Sequence, residues 1–403
     1  MRSKLVVVLV LIATGCVTGV SAYVFFYLAE SLSNLTSIST VSILVFASLS
    51  TILPYIISRS AGFYSGGGTD IVVQSFHGGS KQFSPKKALG YYAISTISIG
   101  FGGSAGPEGP MIVYGAGIAR AFSRLINARE EYTRKLLLAG AAAGFSAAFK
   151  APLTGILYAL EIPYKRDIEA SAFLWSIPAA ITAYAASQIL IKPHIRVEPP
   201  MCHVTIDVNV ILLSIAIGLI SVALALLIIA TTSSVERFCR KQGILGSLAS
   251  GIALAVLVFF FPEVRGFGYE VVNSVINDTT RLSALQLTTL ALVKIIATAL
   301  TIRGGGSGGV FLPTIFTGIV FGAGLAKTLN SLGVVACYEL ILELVVSSLL
   351  AATSKTLLAS IALAVEMFGF VNVIPSLLAS TTAYTVTLKW SLIRGQPISR
   401  SEQ

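Results

Sequence analysis

Charge is scarce in this chain. Of its 403 residues only 11% are Asp, Glu, Lys or Arg, where soluble globular chains carry about 25%, so a water-facing surface of ordinary size cannot be built. Histidine is scarcer still. The three, His77, His194 and His203, sit beside polar loop residues, which leaves no base for a serine nucleophile in the second half. That weighs against an intramembrane serine protease, even though Gly305-Gly306-Ser307-Gly308 fits a GxSG pattern. The four cysteines, Cys16, Cys202, Cys239 and Cys337, lie far apart without CxxC spacing and indicate neither a disulfide framework nor a zinc site. No Gly-rich turn is followed by the Gly-Lys-Ser/Thr of a phosphate-binding loop.

What fills the space is apolar. Hydrophobic residues make up 55% of the chain and mean hydropathy is +0.84. A helix needs about 20 residues to cross a hydrocarbon layer of about 30 Å. Apolar runs approaching or exceeding that length recur at 5–28, 41–57, 88–101, 136–149, 170–191, 208–230, 244–261, 285–302, 310–326, 340–352, 356–370 and 374–388. The expectation is an all-helical polytopic membrane protein, one transmembrane domain over 1–403. The net charge of +10 does not point to nucleic acid, because the Lys and Arg fall in short connections such as Arg120 to Lys135, Lys165 to Arg166 and Arg237 to Lys241. That is the distribution of topology-setting charge. Basic termini (Arg2, Lys4; Lys389, Arg394, Arg400) predict that both face the cytoplasm of a cell or inner membrane. The first run continues past Cys16 to Leu28, longer than the about 7–15 residues of a signal-peptide core, so it reads as a membrane helix.

The chain repeats. Pro152–Ile162 and Leu357–Met367 align in register, each a short helix ending in a carboxylate, and Glu161 and Glu366 are 205 residues apart. The Gly/Pro interruptions Gly106–Pro110 and Gly308–Pro313 give nearly the same period. Two halves, 5–200 and 207–403, with helices broken at matching places, point to a binding site where the halves meet. Glu161 and Glu366 read as structural hydrogen-bonding groups, and Gly140 with Gly144 as a close-packing face. His194, Glu198, Cys202 and His203 are explained better as a polar loop than as metal ligands.

Three breaks carry the chemistry: Ser65–Asp70, Gly102–Pro110 and Arg303–Pro313. Each precedes an apolar helix. Glycines let backbone N–H groups converge, and a helix N-terminus adds about half a positive charge. Several such ends form an anion site without the full charge that would hold the ion too tightly to release it. Glu108 is the ionisable residue in this setting, a functional hypothesis by default at membrane depth, with a water-facing helix cap as the plain alternative.

These residues resemble a known family. Gly106-Pro107-Glu108-Gly109-Pro110 looks like the G(K/R)EGP motif of the CLC chloride channels and proton-coupled chloride transporters, Gly308–Pro313 looks like its GGxFxP motif, and Gly66–Asp70 falls where the family has GSGxP. Lys294 with Ala297–Thr301, and Ala151–Glu161, also read like family segments in family order. The resemblance implies two inverted halves, a homodimer with one pathway per subunit, chloride and protons as the transported ions, and no cofactor. With the chain ending soon after Arg400, the regulatory domains of many relatives are expected to be missing. The same resemblance makes Glu108 the gating glutamate and puts Gly67, Gly68, Gly106, Gly109, Gly308, Gly309, Val310 and Phe311 around the anion. Three positions depart from the pattern. Gly67 stands where the family has a serine, Ile393 near the start of the last helix where it has a tyrosine, and Ile162 where many exchangers carry an inner glutamate. The expected function is chloride/proton exchange, with an uncoupled chloride channel as the alternative and an intramembrane enzyme as the reading from another class.

Overall fold

A computed structural model describes residues 4–79, 83–190, 195, 205–333 and 337–402. Their sixteen α-helices are α1 (Lys4–Thr36), α2 (Thr40–Ala61), α3 (Gly68–His77), α4 (Pro85–Gly100), α5 (Glu108–Leu125), α6 (Glu130–Phe149), α7 (Pro152–Glu161), α8 (Phe173–Leu190), α9 (Val208–Gln242), α10 (Ile244–Phe260), α11 (Tyr269–Ile276), α12 (Ala284–Arg303), α13 (Phe311–Ser331), α14 (Tyr338–Ser354), α15 (Leu357–Phe368) and α16 (Val373–Val386). Two-residue strands β1 (Gly66–Gly67) and β2 (Ser307–Gly308) pair in parallel. Six of the helical stretches, α1, α2, 170–190, α9, α12 and α13, are long and apolar enough to span a bilayer. Large apolar side chains point outward, Ile189, Phe370 and Leu285 among them, as a hydrocarbon surrounding requires and water forbids.

The repeat is visible in the helix order. α1 to α8 and α9 to α16 are two sets of eight, both opening on the longest helix and both carrying short third and seventh members. The starts of α1 and α9 (Lys4, Val208), of α5 and α13 (Glu108, Phe311) and of α7 and α15 (Pro152, Leu357) are separated by 204, 203 and 205 residues. Lys150 and Lys355, 205 apart, both close a helix in the left-handed conformation at φ 57° and 60°.

Reciprocal hydrogen bonds fix the orientation of the halves. Glu161, at the end of α7, accepts from the amides of Leu358 and Ala359 in the first turn of α15, both at 2.8 Å. Glu366, near the end of α15, accepts from the amides of Leu153 and Thr154 in the first turn of α7, both at 2.9 Å, and from the Thr154 hydroxyl. Each carboxylate satisfies N–H groups that a helix start leaves orphaned. Since each helix's end meets the other's beginning, the two copies run antiparallel, as inverted halves require.

Small residues set how closely the helices approach. A side chain on Gly115 would strike the Gly140 carbonyl, and one on Gly144 the Met111 carbonyl, so α5 and α6 touch backbone to backbone along the Gly140/Gly144 face.

Three expectations need correction. Tyr269–Ile276 forms a helix that no apolar run announced, because it is only eight residues long. The last helix expected around Ile393 is absent: after α16 the backbone is irregular to residue 399. Cys337, at the N-cap of α14, is disulfide-bonded, which wide cysteine spacing did not suggest. His194, Glu198, Cys202 and His203 lie outside the described residues.

Candidate functional site

α3, α5 and α13 begin on Gly67, Pro107 and Val310, none of which offers a side-chain cap. Their first N–H groups therefore need partners from elsewhere. All three starts meet in the middle of the molecule. β1 pairs with β2 in the register Gly66 to Ser307 and Gly67 to Gly308. Gly106 and Gly309 exchange two backbone hydrogen bonds at 2.8 Å. Gly68 lies against the Gly109 backbone, and Gly109 against Gly308 and Gly309, with no room for a β-carbon at either. Glycine is needed at these places for close approach.

Glu108 closes the cluster. It is 1% exposed and belongs to the first turn of α5, yet its carboxylate serves another helix. Oε1 accepts from the amide of Phe311 at 2.6 Å and from that of Leu312 at 3.3 Å. The side chain thus fills the N-terminal socket of α13, where the helix dipole draws negative charge. Oε2 is buried and has no hydrogen-bond partner among the described residues. The water-facing cap is excluded.

The socket wall is aromatic. Phe311 is packed by Phe145, Phe149 and Tyr158, with ring centroids 5.1, 5.6 and 5.5 Å away. The buried Tyr91 of α4 clamps the breaks together, its hydroxyl lying 2.6 Å from the Gly66 carbonyl and 3.1 Å from that of Gly308. Ser104 and Ser307 anchor two breaks to neighbouring helices: the Ser104 amide donates to Thr301 at 2.9 Å, and the Ser307 amide to Ser98 at 3.2 Å.

Next to Gly66 opens a cavity of about 300 Å³, lined by Tyr55, Arg59, Glu236, Arg240, Arg303 and Arg394 among others. Four guanidinium groups and one carboxylate line it, so the cavity is basic. Arg303, the last residue of α12, holds Asp70 at 3.1 Å, and Arg394 pairs with Glu236. The Arg394 amide donates to the other Asp70 oxygen at 3.0 Å, so the irregular C-terminal segment is tied to the start of α3.

The residues singled out in the sequence do not all play one part. Glu108 and the Phe311 amide touch directly, and Val310 is the N-cap of the same helix. Gly67, Gly68, Gly109 and Gly308 form the contact between breaks. The amides of Gly106 and Gly309 are spent on each other and are not offered to an anion. Ile393 is buried in the same apolar cluster as Phe311 and Tyr158, adjacent to Arg394. Ile162 is fully buried, and its carbonyl accepts from the Gln396 side-chain Nε2 at 2.9 Å. Sequence reasoning missed the Leu312 amide, Tyr91, Tyr158 and the arginine-lined cavity. Of the four arginines only Arg59 and Arg303 were legible in principle, as charges next to a break.

The family model described as "Voltage gated chloride channel" matches residues 49–388. The chain belongs to the CLC family. Among CLC relatives it is 30% identical over 316 residues to "Voltage-gated ClC-type chloride channel ClcB" of Salmonella typhimurium, covering 76% of this chain and 73% of that one. It is 30% identical over 247 residues to "Chloride channel protein CLC-e" of Arabidopsis thaliana, covering 57% of this chain but only 35% of that longer one. The CLC fold is matched by the solved structure of a CLC-type fluoride/proton antiporter, with a TM-score of 0.88 at 23% identity over 99% of this chain and 100% of that one. A slow cyanobacterial Cl⁻/H⁺ antiporter matches with a TM-score of 0.81 at 21% identity, covering 96% and 98%.

Proposed function

We propose that this protein carries chloride across a membrane in exchange for protons, with the Glu108 side chain as gate and proton carrier. One observation carries the reading: the Glu108 carboxylate occupies the α13 socket through the Phe311 and Leu312 amides, so it and a chloride ion compete for one place. A proton added at the unpartnered Oε2 cancels the charge that holds the side chain there. The neutral form can leave the socket at far lower cost than the charged form, which would carry an unpaired charge into an apolar wall. Anion entry and proton loading are thereby linked.

An uncoupled chloride channel of the same fold is the second reading, favoured by Ile162, which offers no carboxylate for an inner proton relay. Exchange does not require one if water delivers the proton to Glu108 instead. The reading includes a homodimer with a complete pathway in each subunit, both termini in the cytoplasm, a cell or inner membrane location, and no covalent chemistry.

The test is reconstitution into liposomes with chloride efflux and external pH recorded together. Proton uptake driven by a chloride gradient supports exchange. Chloride flux without proton movement supports the channel, and no anion flux at all removes both.

A further inference from the structure

We propose that the Thr69–Tyr158 hydroxyl pair supplies the side-chain donor for the transported anion. This rests on the transport reading above and names the groups that make its site specific.

Most buried threonines inside the helices spend their hydroxyl on the carbonyl four residues back, as Thr14 does on Val10, Thr96 on Tyr92 and Thr301 on Ala297. Thr69 is the second residue of α3 and has no such carbonyl inside its own helix. Its oxygen lies 2.9 Å from the Tyr158 hydroxyl instead. Two hydroxyls bring two protons, and the single bond between them uses one. Among the described residues no acceptor takes the other, although Thr69 is 7% and Tyr158 2% exposed. Each oxygen has the other as its one partner, and the second proton, left over from that pair, sits next to an anion socket.

Its surroundings identify the ligand class. Thr69 follows Gly68, which rests on the residue after Glu108. Tyr158 packs edge-on against Phe311, whose amide holds the Glu108 carboxylate, with centroids 5.5 Å apart and planes at 82°. The spare donor is therefore flanked by both parts of the socket. Rings crowd the Phe311 side, so the ligand is small and largely stripped of water. An uncharged O–H suits a monovalent halide that must also be released. The donor comes from Thr69 and Tyr158 rather than from Gly67 or Ile393, which carry no hydroxyl.

The test is calorimetric chloride titration in the Glu108→Gln background, where the competing carboxylate is gone. Adding Tyr158→Phe or Thr69→Val should weaken chloride binding about five- to tenfold, and Thr69→Ser should restore it. A pair that merely ties α3 to α7 would lower the melting temperature and leave chloride affinity within twofold, which overturns the proposal. If Tyr158→Phe does not fold, Thr69→Val, which keeps the ring and the volume, decides alone. Glu108→Gln protein that binds no chloride overturns this proposal and the transport reading together, whereas tight binding that survives loss of both hydroxyls removes only this one.

Discussion

At the scale of single residues, Glu108 governs the outcome. Glu108→Gln reproduces the neutral side chain and Glu108→Ala removes the competitor. In either variant chloride flux should persist while its acceleration at acidic pH and all proton movement disappear; continued proton pumping by Glu108→Gln in the liposome assay would show that another group exchanges protons. Gly67 yields a prediction of opposite sign. Its φ is −77°, and a β-carbon would lie 3.3 Å from Asp70 Oδ2, a tight contact that serine enters only with a shift of a few tenths of an ångström. Gly67→Ser should tighten chloride binding several-fold, matching the roughly 0.5–1.5 kcal/mol net value of one hydrogen bond, and titration of the purified variant measures it. Glu108 was legible because its Gly and Pro neighbours make a pattern within five residues. Tyr158 was not, since a tyrosine among apolar helix residues looks like any core aromatic, and the partner that gives it meaning is Thr69, in another helix 89 positions earlier.

At the scale of elements, the helices separate into those the chain signals and those only packing makes. Long apolar stretches such as α1 and α9 announce themselves by composition, whereas α11 gains its helical form from the side chains it buries, Val272, Val275 and Ile276. The crossed carboxylates of α7 and α15 offer a measurement of the repeat. Glu161 is buried while Glu366 is exposed. Glu161→Gln should therefore lower stability toward the upper end of the about 1.5–3 kcal/mol attached to hydrogen bonds with a charged group, and Glu366→Gln by less. Thermal melts in detergent would rank them, and equal losses would contradict the burial argument. At the α5–α6 contact, Gly140→Leu has no space and should cost at least the about 1–3 kcal/mol of an overpacked core, while leucine at the outward-facing Val41 should be nearly silent. An unchanged melting temperature for Gly140→Leu would mean the two helices do not touch as described.

At the scale of the whole molecule, the outward apolar surface that faces lipid can also bury a second copy. Mass measurement in detergent should give twice the 42.3 kDa of one chain, and an active species that stays monomeric at every concentration would refute the dimer. The site itself also constrains biosynthesis. Glu108 finds its hydrogen-bond donors at Phe311 and Leu312, and Gly106 its partner at Gly309, each 203 or 204 positions later in the chain. At the about 5–20 residues per second of translation, a nascent first half waits roughly 10–40 s with a carboxylate at membrane depth and no α13 to receive it. Until the ribosome has delivered the second half, that glutamate must stay protonated, stay hydrated or stay outside the hydrocarbon, so membrane insertion of the first half and closure of the site are separate events in time.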